Sequence, residues 1–415
     1  MLIVHTADIH IGVENYGRPD PVTKTSTRLV DFLGTLDEVV TFASENSADI
    51  VLFCGDAYKS RNPNQTHQRE FAKRIYSLAN NGIQVFLLIG NHDSPNIPGP
   101  ASALDIFPTL NIPNVHIGST LTTHLIETKS GPIQIVSLPW VRKGQFMSSA
   151  ETDQLNTEEL NSTIQSMLTT EISYQASNLD PTIPSILSGH VSIDSARTSS
   201  EKSMMLGNDY VLLKSSVALP QFDYVALGHI HKYQLLNEIP KVVYPGSLQR
   251  IDFGEEKDVK GFCSIHLDPT KKTGQRETSY EFIPVNARRM VTIKITLDEI
   301  DPEPTNTIIT EIKKHNITDA IVQVMIEVPA LLYDQIDDTL VKESLSSAHL
   351  IATIRKNVVE EKRQRLSHNP SGDISPVEAL KSYLNARDIS KSRANMILEK
   401  GTNLIEEHSN PESVN

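Results

Sequence analysis

Apolar segments that end in a glycine and polar side chains recur along this chain, and they constrain its fold more than any other feature. The clearest example is Gln84–Ile89, which is followed by the sequence Gly-Asn-His-Asp at residues 90–93. A short apolar run of this kind predicts a buried β-strand. Open α/β sheets place their sites at the carboxyl ends of such strands. For this segment alone a polar turn after a strand would be the ordinary explanation. The recurrence of the pattern along the chain favours a functional site instead.

Polar residues also follow four other predicted strands, and four of the five strands in all place a glycine at or just before the polar group. Leu2–Ala7 precedes Asp8 and His10, Asp49–Cys54 precedes Asp56, Ile186–Gly189 precedes His190, and Tyr224–Gly228 precedes His229 and His231. Because side chains alternate along an extended segment, the two members of each close pair lie on one side of it. So many ionisable groups in one crevice require a partner that pairs them. A metal is the economical partner.

Seven of these side chains offer nitrogen or oxygen ligands, namely Asp8, His10, Asp56, Asn91, His190, His229 and His231. One tetrahedral zinc ion uses fewer ligands, and no cysteine is among them. Two ions bridged by one carboxylate would use all seven, and ions about 3.5–4 Å apart are used for phosphoester hydrolysis. The histidine-rich set favours manganese or iron over magnesium, and ligand type does not exclude zinc.

The order of the predicted elements indicates an α/β fold with more than one domain. The 415 residues exceed the length of one ordinary domain. Predicted helices at Thr27–Glu45, Asn64–Asn81 and Thr157–Ser177 alternate with strands as far as Gly261–Leu267. This pattern predicts a parallel-rich sheet, continued by antiparallel strands, in a layered domain over residues 1–284.

After residue 284 the pattern restarts as β-α-β-α-β, which predicts a small cap domain over residues 285–360. Residues 361–374 are charged and contain proline and glycine, and they predict a linker. Residues 375–408 predict a helical hairpin that begins with the capping box Ser375-Pro376-Val377-Glu378. Two helices this short are marginal alone, so we expect the tail to dock on a partner, or on the chain's own first domain.

Composition and charge bound the class of protein. No apolar run is long enough to span a membrane, and the first residues lack the basic start of a signal peptide. Cys54 and Cys263 lie in apolar strand-like segments, so we expect buried thiols in a reducing cytoplasm. The formal net charge of −13 argues against a protein coated in basic residues for nucleic acid.

The ordered motifs resemble those of the calcineurin-like metallophosphoesterases. They are Asp8-Ile9-His10, Gly55-Asp56, Gly90-Asn91-His92-Asp93, Gly189-His190 and Gly228-His229-Ile230-His231. Within that family, Thr6–Gly12 and Tyr244–Arg250 are similar to the SbcD-type nucleases of DNA double-strand-break repair, as is the order of domains. The resemblance implies a layered (sandwich) metallophosphoesterase domain with a small cap and a helical tail.

The resemblance also implies a role for each site residue. One metal would be held by Asp8, His10, His231 and the bridging Asp56, and the other by Asn91, His190, His229 and the same bridge. His92 would face the scissile phosphate as general acid or transition-state stabiliser. Asp93 would orient His92, or else cap the following turn. Relatives often carry a histidine three residues after the bridging aspartate, where this chain has Lys59, which would contact phosphate or be solvated.

The resemblance further implies DNA as the substrate, two divalent ions with Mn²⁺ favoured, and a cytoplasmic, nucleoid-associated homodimer away from membranes. The helical tail would bind an SbcC-like coiled-coil ATPase. Basic residues expected beside the DNA are Lys59, Arg61, Arg250, Arg288 and Arg289, with Arg142 nearby. Such clusters also occur as solvated faces, so intrinsic DNA affinity is expected to be modest and salt-dependent.

Two other functions share this core, a phosphatase or cyclic-nucleotide phosphodiesterase and a non-catalytic scaffold with a relic site. Protein phosphatases of the superfamily usually carry a Gly-Asp-x-x-Asp-Arg run, which Gly55–Ser60 lacks. Neither alternative needs the cap and tail, and a relic site would have lost a ligand. The sequence therefore predicts a metal-dependent DNA nuclease with double-strand exonuclease and single-strand or hairpin endonuclease activity.

Overall fold

The structure is a computed structural model that describes residues 1–22, 24–95, 100–142, 156–199, 210–359, 375–385 and 391–409. The predicted linker at residues 361–374 lies outside the described residues. The chain divides into two compact units. The first comprises Met1–Ile295, Thr305–Met325 and Asp337–Arg355, and the second comprises Thr296–Pro304, Ile326–Ile336 and Lys356–Asn415. The domain boundaries at 284 and 360 stay a prediction. No described helix combines the length and apolarity needed to cross a membrane.

Among the described residues, the larger part of the first unit contains short strands and five α-helices. The strands are β1 (Leu2–Thr6), β2 (Ile50–Phe53), β3 (Gln84–Leu88), β4 (Val115–Gly118), β5 (Thr122–Thr128), β6 (Gly131–Leu138), β7 (Ser185–His190), β8 (Ser192–Ile193), β9 (Val211–Leu212), β10 (Tyr224–Gly228), β11 (Gln234–Glu238), β12 (Lys241–Tyr244), β13 (Gly261–Leu267) and β14 (Thr278–Pro284). The helices are α1 (Thr27–Glu45), α2 (Gln65–Asn80), α3 (Ile106–Thr109), α4 (Thr157–Ser177) and α5 (Lys214–Val217).

These strands form two six-stranded mixed sheets. The first has the order β14-β13-β1-β2-β3-β4, in which β1 to β4 are parallel and β13 pairs antiparallel with both β1 and β14. The second has the order β11-β12-β10-β7-β6-β5, with four parallel strands between antiparallel edges. The sequence predicted one sheet in this domain, whereas the structure has two. The apolar segments β7 and β10 are buried along their whole length, and such strands need cover on both faces.

The two sheets pack face to face, with helices on their outer faces. Ile3, Leu52 and Phe86 of the first sheet share one core with Ile135 and Ile186 of the second. Helices α1 and α2 cover the other face of the first sheet, and α4 covers that of the second. The predicted layered sandwich is confirmed.

Helix boundaries follow from capping side chains. Ser26 accepts a hydrogen bond from the Arg28 N–H at the start of α1, and Asn64 accepts one from the His67 N–H at the start of α2. Asn156 forms a capping box with Glu159 at the start of α4. The predicted bounds of α1 and α4 are confirmed.

The C-terminal elements match the predicted order. They are β15 (Met290–Thr296), α6 (Pro304–Lys313), β16 (Ile321–Pro329), α7 (Asp338–Ser344) and β17 (Leu350–Val359), with a sheet order of β15-β16-β17, and then the tail helices α8 (Pro376–Asn385) and α9 (Lys391–Ser409). The capping box of α8 is present, since Ser375 Oγ accepts from the Glu378 N–H at 3.3 Å and the Glu378 carboxylate accepts from the Ser375 N–H. The two tail helices pack closely where Gly401 faces Leu380.

Candidate metal centre

The polar residues predicted from strand ends converge at one edge of the sandwich. Strands β1, β2 and β3 of the first sheet and β7 and β10 of the second carry them there. Three overlapping groups have their ligand atoms within 4.8 Å of one another: Asp8, His10 and His231; His10, Asp56 and His92; Asp8, Asp56 and His190. The convergence of the predicted ligands is therefore observed.

The backbone at this edge is strained. Asp8, His10, Asp56 and His229 have φ values of 52°, 50°, 56° and 96°, which side-chain-bearing residues seldom adopt. Strain of this kind clusters at functional sites, where surrounding contacts over-determine the conformation. Here the contacts are hydrogen bonds between neighbouring loops. The Asp8 N–H donates to the Gly55 carbonyl, and the Asp8 carboxylate accepts from the His229 N–H.

Two glycines allow the loops to approach one another. A Cβ atom on Gly90 would lie 2.1 Å from Asp56 Oδ1, and one on Gly228 would lie 1.9 Å from the Cys54 carbonyl oxygen. Neither position has room for a side chain. The glycines that mark these strand ends in the sequence are therefore required by close packing around the ligands.

The first ligand group contains Asp8, His10, Asp56 and His231. The Nε2 atoms of His10 and His231 lie 3.0 Å apart, and His10 Nε2 lies 3.8 Å from Asp56 Oδ2. All four residues are almost fully buried. Their ligand atoms therefore lie close together at a site that is shielded from solvent.

The second group contains Asn91, His190 and His229, and it shares Asp56 with the first. His190 Nε2 lies 3.4 Å from Asp56 Oδ2 and 2.9 Å from Asn91 Oδ1. His229 Nδ1 lies 3.2 Å from the same Asn91 oxygen. Asp56 is thus the carboxylate that stands between the two groups.

The hydrogen-bond partners show that this donor set fits cations. His190 Nδ1 lies 2.8 Å from the Cys54 carbonyl oxygen, which only accepts, so Nδ1 carries a proton. In the neutral ring Nε2 then presents a lone pair to the Asn91 and Asp56 oxygens. Atoms that all accept stay this close only when a cation lies among them, either a proton or a metal ion. Oxygen and imidazole ligands suit a divalent transition metal.

Burial and mutual charge set the pKa values of the group. Burial lowers the pKa of His10 and of His229 well below the ordinary value, so both rings are neutral ligands. Burial raises the pKa of Asp8 to about 6. Burial alone would lower the pKa of His190, but the Asp56 carboxylate raises it to about 9, so the metal-free centre holds a proton there. Metal binding would release that proton.

The His92 imidazole lies beside the two groups and is oriented by the backbone. Its Nδ1 donates to the Lys59 carbonyl at 2.8 Å, and its N–H donates to Asp56 Oδ1 at 2.8 Å. Asp93 was expected either to orient this ring or to cap the following turn. Its carboxylate instead accepts from the N–H groups of Ala57, Tyr58 and Gly90. Asp93 therefore ties together the loops that follow β2 and β3.

Two further residues shape the centre and were not predicted. The Trp140 ring lies 4.9 Å from the His229 ring and stacks on Tyr210 at 5.2 Å. Glu255 Oε1 lies 2.8 Å from His231 Nδ1. Trp140 is the single tryptophan of the chain and follows β6, but neither a glycine nor a ligand ends that strand, so the strand-end rule does not identify it. Glu255 follows no strand and carries no such signal.

The arginines expected beside DNA at the entrance to the cap are engaged within the protein. Arg288 forms a two-pronged ion pair with Asp31 at 2.6 and 2.7 Å and a second pair with Asp319. Arg289 donates to the Thr318 carbonyl at 2.8 Å. These pairings cross long stretches of sequence, so the charge pattern alone could not show them.

Arg250 is likewise committed to internal contacts. Its guanidinium donates to the carbonyl groups of Ala287, Arg288 and Asp258 at 2.8–3.2 Å. Burial lowers its pKa from the ordinary value, as expected for a guanidinium withdrawn from water. These contacts occupy donors of Arg250, Arg288 and Arg289, and a position of the three residues beside DNA stays a prediction.

Lys59 and Arg61 remain at the rim. The Lys59 carbonyl orients His92, and in the described part of the chain its ammonium has no ion pair. Arg61 Nε donates to the Ser94 carbonyl at 2.9 Å, and Arg142 binds the same oxygen. Ser94 follows His92 by two residues, so both guanidinium groups bind the segment that carries this imidazole. No ion pair with a carboxylate engages Arg61 or Arg142 among the described residues.

Comparison with known proteins identifies relatives. A family model described as calcineurin-like phosphoesterase matches residues 1–233. The chain is similar to the SbcD subunit of nuclease SbcCD from Bacillus subtilis (strain 168), with 24% identity over 67% of this chain and 69% of that protein. The same subunit from Escherichia coli (strain K12) is 23% identical over 61% and 62%. The uncharacterized metallophosphoesterase YhaO of Bacillus subtilis (strain 168) is 27% identical over 68% and 60%. The chain thus spans 60–69% of the length of these relatives.

Proposed function

The chain belongs to the calcineurin-like phosphoesterase family, and we propose that it is the catalytic subunit of an SbcCD-like DNA repair nuclease. It would degrade double-stranded DNA from its ends and cut single-stranded and hairpin DNA. The observation that carries the proposal is the pair of ligand groups that share Asp56 beside the His92 imidazole. This arrangement suits phosphodiester hydrolysis with two divalent ions.

The ligands divide between the two ions as the contacts suggest. One ion would take Asp8, His10 and His231, the other would take Asn91, His190 and His229, and Asp56 would bridge them. When bound, such a pair activates water for attack on phosphorus and neutralises charge on the phosphate. The chain supplies neutral imidazoles for this purpose, because burial keeps His10 and His229 unprotonated.

His92 is proposed as the group that handles the proton. Because its Nδ1 donates to the Lys59 carbonyl, Nε2 is the nitrogen that would carry the second proton of the imidazolium form and give it to the departing oxygen. The Asp56 carboxylate fixes the backbone of the same residue. His92 is therefore held at the edge of the metal centre by two contacts, neither of which occupies Nε2.

Two guanidinium groups at the rim support a polyanionic substrate. Arg61 and Arg142 bind the Ser94 carbonyl, and neither has a carboxylate partner among the described residues, so both are suited to contact phosphate. Their positive charge is local, because the chain as a whole carries a net charge of −13. Intrinsic DNA affinity is therefore expected to be modest and to fall as salt is raised.

The tail is proposed as the site for an SbcC-like coiled-coil ATPase. The helices α8 and α9 pack on one another at Gly401, yet Tyr383, Met396 and Leu404 remain about half exposed. An exposed apolar stripe on a helix is suited to a partner helix. The similarity to one subunit of the nuclease SbcCD supports a multi-subunit assembly. We further propose a homodimer in the cytoplasm at the nucleoid, and buried free Cys54 and Cys263 suit a reducing compartment.

Mn²⁺ is proposed as the metal, because imidazole-rich sites favour it over Mg²⁺. We expect metal-free protein to regain more hydrolysis of bis-p-nitrophenyl phosphate with Mn²⁺ than with Mg²⁺ at equal concentration. The measurement is initial rate against metal concentration after treatment with a chelator. Full restoration by Mg²⁺ alone would contradict the assignment.

A substrate comparison tests the proposed function against the phosphatase or cyclic-nucleotide phosphodiesterase alternative. The full chain with Mn²⁺ is incubated with end-labelled linear duplex and hairpin DNA, and separately with bis-p-nitrophenyl phosphate, p-nitrophenyl phosphate and cyclic AMP. We expect shortened DNA and diester turnover, with little monoester hydrolysis. The protein would instead be assigned to the alternative if it left DNA intact and consumed the monoester or cyclic AMP. The His92→Ala protein, purified identically, controls for contaminating nucleases.

A further inference from the structure

We infer that Glu255 is a positioning residue for His231, and that buried Lys260 is its counter-charge. The inference rests on the proposed assignment of His231 to one metal ion. Glu255 belongs to none of the sequence motifs of the centre, and it lies on a short 3₁₀ helix, Phe253–Glu255. Unlike the ligands, it does not follow any of the strands β1, β2, β3, β7 and β10.

The contact between Glu255 and His231 fixes which nitrogen faces the metal. Glu255 Oε1 lies 2.8 Å from His231 Nδ1, and a carboxylate only accepts, so the proton of the ring lies on Nδ1. The Nε2 lone pair then points to His10 Nε2, 3.0 Å away, inside the first ligand group. A carboxylate that holds a metal-ligating histidine in this way sets both its tautomer and its orientation.

Glu255 is itself held by a buried lysine. Lys260 Nζ lies 2.6 Å from Glu255 Oε2, and both side chains are fully buried. The same ammonium donates to Ser247 Oγ at 2.9 Å and to the His231 carbonyl at 3.1 Å. Lys260 therefore contacts the carboxylate that orients the ring and the backbone of the ring's own residue, and the two are fixed relative to each other.

A role in stability alone does not account for this placement. Replacing a buried ion pair with apolar residues of similar size is often neutral or stabilising, so such a pair is a weak source of stability. This one lies directly behind a ligand of the centre. The contacts of Glu255 and Lys260 are those needed to keep the His231 ring in one orientation.

Glu256, the next residue, provides a matched control. Its carboxylate accepts from the N–H of Thr292 at 2.9 Å and from the Thr292 hydroxyl, on strand β15. It therefore makes a specific contact from an adjacent position but does not touch His231. Glu255→Gln and Glu256→Gln each remove one charge from this segment, and only the first changes the acceptor behind the ligand.

The test is Mn²⁺ binding by titration calorimetry to metal-free full-length protein, with circular dichroism to confirm folding. We expect the wild-type and Glu256→Gln proteins each to bind two ions per chain, and the affinity for each ion to be the same in the two proteins. Glu255→Gln should bind one of the two ions about 10–100-fold more weakly, as is typical when a residue behind a ligand is changed. Wild-type affinity for both ions in folded Glu255→Gln protein would overturn the inference.

A double variant separates positioning from charge balance, and it carries the test if the single variant fails to fold. Glu255→Gln with Lys260→Met removes both buried charges. We expect this protein to fold and still to bind one ion about 10–100-fold more weakly. Recovery of wild-type affinity in the double variant would show that Glu255 only balances Lys260, and would overturn the inference. A wild-type protein that binds no pair of ions would instead refute the metal site proposed above.

Discussion

The metal centre and the helical tail are built in opposite ways. Asp8, His10 and His190 are fully buried, and backbone contacts from several loops hold the centre in place. In the tail, Met396 and Leu404 expose more than half of their surface. The comparison indicates that the centre is organised by its own fold, whereas the tail exposes apolar side chains. Chemistry and assembly are therefore expected to be separable in this chain.

The largest effect expected at the centre comes from removing the shared carboxylate. Asp56→Ala takes a ligand from both groups at once, so we expect both ions and the hydrolysis of bis-p-nitrophenyl phosphate to be lost. The measurements are metal content per chain and turnover. The fold should persist, because the sandwich core does not include this side chain. Retention of two ions would show that the two groups do not depend on a common bridge.

His92→Ala should separate chemistry from metal binding within the same centre. We expect two ions per chain and a loss of hydrolysis of about 10²–10⁴-fold, the usual contribution of a general acid or base. Metal content and turnover are measured on the same preparation. Unchanged turnover would remove His92 from the mechanism, whereas lost metal would make it a ligand.

Acid should lower the free energy of unfolding of the sandwich through His5, and this effect is smaller than the loss of activity in the two variants above. Burial lowers the pKa of His5 to about 3. The unfolded chain binds the proton near pH 6.5, so stabilisation by neutral His5 is complete above that pH and is lost as the pH falls toward 3. Between pH 6.5 and 5 we expect this residue to remove about 1.5–2 kcal/mol from the free energy of unfolding. Denaturant unfolding of wild-type and His5→Gln proteins checks it, and equal pH slopes would contradict it.

Removing the tail should have the smallest effect on catalysis. Truncation after Asn369 deletes α8 and α9, and we expect unchanged hydrolysis of bis-p-nitrophenyl phosphate with Mn²⁺. Co-purification with the co-expressed coiled-coil ATPase should be abolished, together with any stimulation of duplex degradation by ATP. Complex formation at normal affinity by the truncated protein would move the docking site elsewhere. A fall in small-diester turnover would show that centre and tail are coupled.

The strand ends could be predicted from the sequence because local chemistry defines them. An apolar run followed by a ligand, in four of five cases with a glycine at the junction, can be recognised locally. The prediction that Asp8, Asp56 and His190 converge agrees with the structure. Helix bounds followed from caps such as Asn156. Five strands of the first unit were not predicted, namely β4, β8, β9, β11 and β14. Strands β11 and β14 escaped because their residues are mostly half exposed or exposed and lack a continuous apolar run.

Contacts between distant residues could not be predicted in the same way. Arg288 meets Asp31 across 257 positions, and His231 meets Glu255 across 24. Long side chains such as arginine reach several acceptors, so a basic cluster in sequence does not show which of them face solvent. The second sheet was missed for a related reason, since the pattern of apolar strands does not state which strands pair.

The close approach at Gly90 and Gly228 has a consequence for mutational scanning. A side chain at either position would collide with the Asp56 carboxylate or the Cys54 carbonyl oxygen. In a survey of all single substitutions read out by survival, we expect both glycines to be as intolerant as the histidines around them, although neither offers an atom to a metal. Intolerance alone would then overstate the number of reactive residues. It would also outline the ligand shell as a continuous patch of backbone and side chains.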